Sequence, residues 1–184
     1  MAILMPMVPF IRAFGRRLLL GLLLAAPIAA PTAEPVEYAV KAAYLTKFGI
    51  YVEWPDAAPG SPLNLCVVGE DPFGKALDSA ASTQQPGNRP VAVKRLKEIS
   101  PDSDCHIAFF GNADPTVPQI IDSLRGNSVL TVTDSGGKGA IINFTVKANR
   151  VRFEIDEPAA AQNNLVVSAK LLGLALNVKP RQTP

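Results

Sequence analysis

Residues 63–74 read LNLCVVGEDPFG. A six-residue apolar run of this kind, stopped by Gly69, is the pattern of a strand buried on both faces, as in parallel sheets. Asp71-Pro72 then matches a helix cap followed by proline at the first helical position. The stretch therefore predicts a strand over 63–68 and a helix over about 71–81. A strand turning into a helix also holds phosphate in dinucleotide-binding proteins, but that turn needs G-x-G-x-x-G. Here Gly69 and Gly74 stand too far apart, and Glu70 and Asp71 occupy the place of the anion. No Walker-type lysine pattern is present either, so the nucleotide reading is excluded.

Working outward, the same alternation recurs. CHIAFF (105–110) and SVLTVT (128–133) are two more central strands, and VAVKRL (91–96) alternates as a strand nearer an edge. Between them, residues 116–124 place Val117, Ile120, Ile121 and Leu124 on one side of a helix. AIINFTV (140–146) and RVRFEI (150–155) are separated by Lys147-Ala148-Asn149 and predict an antiparallel hairpin. Upstream, Val40, Tyr44, Phe48 and Tyr51 recur at steps of four and three, giving a helix that Pro55 ends. From Pro158, a last helix to about 177 is expected, with Ala161, Leu165, Ala169, Leu172 and Leu176 on one face. The fold class is thus α/β: a single-domain α/β/α sandwich with a mixed, mainly parallel sheet and a C-terminal β-hairpin plus helix.

The start of the chain has a different character. Arg12, Arg16 and Arg17 precede LLLGLLLAAPIAA (18–30), with no acid before residue 34. A basic region, a short apolar core and small residues are the pattern of a secretory signal peptide over 1–33. An uncleaved anchor is the other reading, against which stand the shortness of the run and Pro27. The expected organisation is a leader over 1–33, an α/β domain over 34–178 and a tail over 179–184. The full chain has 18 bases and 16 acids, and the leader carries three of the bases. The remainder is close to neutral, which leaves no electrostatic footprint for nucleic acid.

Export would put Cys66 and Cys105 in an oxidising compartment, where two cysteines pair more often than they remain free buried thiols. Closing a loop of about 40 residues stabilises by roughly 4 kcal/mol in the chain-entropy model. With the single His106, these cysteines do not have the spacing of a zinc site, and no metal or cofactor is expected. No G-x-S-x-G is present, and His106 on a buried-looking strand reads as structural. Asp134-Ser135-Gly136-Gly137 lies at a strand's carboxyl end, where open sheets bind ligands, but it is also ordinary turn chemistry. Trp54 is either a partner contact or a cap on the core. The candidate partner or ligand surface is Tyr51, Trp54, Glu70, Asp71, Asp134 and Ser135; no catalytic residue is assigned.

Taken in order, KAAYLTKFGIYVEWP, LCVVGEDPFG, CHIAFF, SVLTVTDSGG, GAIINFTVKANRVRFEID and LVVSAKLLGLA resemble the YfiR family over about residues 37–176. The resemblance implies a periplasmic regulator rather than an enzyme. Such proteins bind the periplasmic domain of an inner-membrane diguanylate cyclase, YfiN, and hold it inactive, which restrains cyclic di-GMP and biofilm growth. An OmpA-like outer-membrane lipoprotein, YfiB, sequesters the regulator. Homodimers and redox-responsive cysteines are implied too. Cys66 and Cys105 match the family's strand cysteines, whereas a second pair found in some relatives is missing here. The alternative is a periplasmic small-ligand sensor serving another membrane protein, with its site around 69–71 and 134–137.

Overall fold

The computed structural model describes residues 36–55, 57–58, 60–83, 89–111, 114–134 and 137–181. The expected leader, Ser135 and the last three residues lie outside them. Helix α1 (Val36–Tyr51) leads directly into the two-residue strand β1 (Val52–Glu53). Strand β2 (Leu63–Val68) is buried at every position, as its apolar run requires. After it come helix α2 (Lys75–Thr83), strand β3 (Val91–Leu96), strand β4 (Ile107–Phe110), helix α3 (Val117–Ser123) and strand β5 (Leu130–Asp134). The hairpin is β6 (Ile142–Lys147) with β7 (Arg150–Asp156), and helix α4 (Glu157–Gln162), strand β8 (Val166–Val167), helix α5 (Ala169–Leu174) and strand β9 (Asn177–Lys179) complete the chain.

Seven strands form one sheet in the order β3-β2-β4-β5-β6-β7-β9, and β1 pairs with β8 separately. All contacts in the large sheet are parallel except β6–β7. Alternating side chains divide the core. Leu65, Val67, Ile107, Phe109, Leu130 and Val132 meet Leu45 and Phe48 of α1 and Leu77 of α2. Val68, Ala108 and Phe110 face the other way, onto Ile121 and Leu124 at α3. Helices thus cover both faces of a mixed sheet, the expected fold class.

Four local expectations are corrected. Asp71-Pro72 does not open α2; the Asp71 carboxylate accepts from the Phe73 N–H at 2.8 Å and caps a turn, and the helix starts at Lys75. On α1 the buried face is Lys41, Ala42, Leu45, Thr46 and Phe48, while Val40 is exposed. The single last helix is instead α4, β8, α5 and β9. Asn164 has φ 57°, which ends α4, and burial then alternates through Asn163, Leu165 and Val167, the period of a strand. Ser168 starts α5 by accepting from the Leu171 N–H. Lys179, placed in the tail by the sequence, is the last residue of β9 and pairs with Asp156 at 2.8 Å.

Candidate functional site

The chain runs from β2 outward to β3 and then back across β2 to β4. Strand order therefore reverses between β2 and β4, with α2 and α3 on opposite faces of the sheet. In open α/β sheets, the crevice beyond the carboxyl ends of such strands is where ligands bind. A cleft of about 350 Å³ lies there. Val68 and Phe110 give it an apolar floor, Tyr38 of α1 closes one side, and Glu70, Lys97 and Asp114 bring charges of both signs. Hydrogen bonds from Thr116 hold the Asp114 carboxyl below its ordinary pKa. Glu70 lines this cleft, whereas Asp71 is committed to the Phe73 N–H and to Arg95 Nε at 2.7 Å.

Beside the cleft lies a buried charge cluster. Lys41 is 0% exposed and Asp134 4% exposed. Lys41 Nζ donates to both carboxylate oxygens of Asp134, at 2.7 and 2.8 Å, and to Glu37 one turn earlier on α1. Burial by itself lowers a lysine pKa, but the bonds from Asp134 and Glu37 outweigh it and raise that of Lys41. Tyr38 donates to Asp134 at 3.1 Å; burial, then the Asp134 charge, raises the phenol's pKa. Asp134 is thus an anchor that fixes α1 on the end of β5. The cluster was missed in the sequence, although a second stripe at steps of three and four, Tyr38-Lys41-Leu45-Phe48, puts a lysine on the buried face.

At the opposite end of the strands, Cys66 and Cys105 form a disulfide with Cα atoms 5.9 Å apart. Trp54 is 7% exposed, and its Nε1–H donates to the His106 carbonyl at 3.1 Å. It seals the core at this end of the strands. His106 Nδ1 accepts from the Asn64 N–H, and burial, followed by the charge of Arg89, pushes the imidazole below its ordinary pKa. Tyr51 is half-buried, with Lys170 Nζ 5.5 Å from its ring centre. The five described surface candidates therefore do not converge: Tyr51 and Trp54 stand apart from Glu70, Asp71 and Asp134. Among the described residues, no group of acids, His and Cys suits a metal ion, and no helix is long and apolar enough to cross a membrane.

The YfiR/HmsC-like family model matches residues 38–176. A search of curated proteins returned no match. The matched range covers α1 to α5, including the disulfide, the cleft and the Lys41–Asp134 pair, and the chain belongs to the YfiR/HmsC-like family.

Proposed function

We propose that this protein is a periplasmic regulator that binds the periplasmic domain of an inner-membrane diguanylate cyclase and represses it, controlling cyclic di-GMP and biofilm formation. The observation that carries this reading is the family match over residues 38–176. Repression requires the regulator to bind the cyclase's inactive state more tightly than its active one. The disulfide-stapled domain suits an oxidising compartment, and a leader over 1–33 would deliver it there. An OmpA-like outer-membrane lipoprotein is the proposed competing partner, and a homodimer the proposed working form.

The test is cellular. Deleting the gene should raise cyclic di-GMP, and unchanged levels would overturn the cyclase reading. Pull-down from solubilised membranes, with and without reductant, should recover a GGDEF-type cyclase in a reductant-dependent yield. Recovery of a different sensor would move the protein to another signalling system. A small-ligand sensor is the second reading, and the cleft of about 350 Å³ at the strand-order reversal favours it. A thermal-shift screen in which no metabolite raises the melting temperature would count against that role.

A further inference from the structure

Two apolar residues one turn apart on α1, Val36 and Val40, are not used by the core. Val36 is 80% exposed and Val40 38% exposed, and Tyr44 continues their line one turn further on. At a rise of about 1.5 Å per residue, this ridge is about 12 Å long. Across from it, Val146, itself 46% exposed, and Val151 of the hairpin form the other wall. The groove between has a volume of about 420 Å³.

The rim of this groove is basic. Arg150 and Arg152 line it, and Lys147 stands opposite Arg150 in the hairpin register. Among the described residues, none of these three cations makes an ion pair. The one acid among the described lining residues, Glu37, is engaged by Lys41. An apolar trough two helical turns long, edged by cations that have no ion pair among the described residues, is complementary to an amphipathic helix with an apolar face and acidic flanks. We propose that this groove between α1 and the β6–β7 hairpin docks an acidic amphipathic helix of a partner protein. The inference rests on the regulator reading, for which it names a contact surface.

A second copy of the chain fits less well, because a two-fold contact centred here would set Arg150, Arg152 and Lys147 against their own equivalents. An anionic bilayer is flat, whereas the apolar surface is recessed between two walls.

The test uses protein purified from cells expressing the full chain. The probe is a fluorescein-labelled helical peptide with leucine on one face and glutamate on the other, read by anisotropy. It should bind, and more weakly as salt rises. Peptides with lysine for glutamate, or serine for leucine, should not. Arg150→Glu with Arg152→Glu should weaken binding on the order of tenfold or more. Val40→Ser should weaken it too, whereas Lys138→Glu should not. All of these positions are exposed, and unchanged thermal melts would show that the variants fold. The proposal is overturned by absent binding, by equal binding of the lysine peptide, or by capture of phosphatidylglycerol vesicles in place of the peptide. A dimer that the double reversal disperses, with the peptide ignored, overturns it as well. Cyclic di-GMP in the deletion strain tests the regulator reading independently, so failure of the groove and failure of the cyclase assignment are separable.

Discussion

Lys41 and Asp134 have side chains only 1% and 2% exposed, and each is the other's principal compensation for leaving water. Replacing Lys41 with Met leaves a buried carboxylate, and the expected cost is about 3–5 kcal/mol. Lys41→Met combined with Asp134→Leu should cost much less, because no uncompensated charge remains. Denaturant melts of the single and double variants give the coupling directly, and additive costs would show that the pair is not a unit. His106 gives a different signature. Its folded pKa lies below the ordinary value of 6.5, owing to burial and Arg89, with Lys94 adding to and Asp104 opposing the shift. The stabilisation from the neutral ring is therefore fully present above about pH 6.5 and is lost as pH falls toward the folded value. His106→Gln should flatten the melting-temperature profile between pH 7 and 5 relative to the parent. The role of Lys41 was not legible from one residue at a time, because a lone lysine carries no mark of its partner 93 residues away, whereas the apolar strand around His106 already gave that residue a structural reading.

At the scale of elements, legibility followed the length and purity of the local pattern. β2, β4 and β5 were readable because short segments rich in apolar and β-branched residues, bounded by turn residues, admit little else. The hairpin was readable from two alternating segments and a short link. Its turn is tighter than the sequence indicates: Lys147 pairs with Arg150, so only Ala148 and Asn149 form the loop, at φ 50° and 57°. Two left-handed residues make the turn type that hairpins favour, but alanine is poorly suited to that region. Ala148→Asn should raise stability by up to about 1 kcal/mol, measured as a shift in the denaturant midpoint at constant slope. The region after Pro158 failed because leucines and alanines at helical spacing overlay a strand-like alternation through Asn163, Leu165 and Val167. Pairing of β8 with β1, Val52 opposite Val167 and Glu53 opposite Val166, decided between them, and no local window contains that contact. The segment from Asp134 to Gly137 was ambiguous in the sequence for a related reason. A Cβ on Gly137 would lie 2.5 Å from Thr133, so its glycine answers a packing need.

For the whole molecule, the sheet order joins β2 and β4 as direct neighbours while the chain between them travels out to the edge strand β3. The disulfide closes that excursion, spanning 39 residues between Cys66 and Cys105. Reduction should lower the melting temperature by roughly 8–16 °C, as loss of about 4 kcal/mol implies for a domain of this size. A scan unchanged by reductant, with two thiols titrating per chain, would show that the bridge contributes nothing to the folded protein in solution. The same closure has a mechanical meaning. When the termini are pulled apart, tension passes across the bridge and the oxidised loop is hidden from it. It removes about 130 Å of extensible chain. In an optical trap, the oxidised molecule should lengthen on unfolding by that much less than the reduced one, so that redox state sets how far the domain can be drawn out.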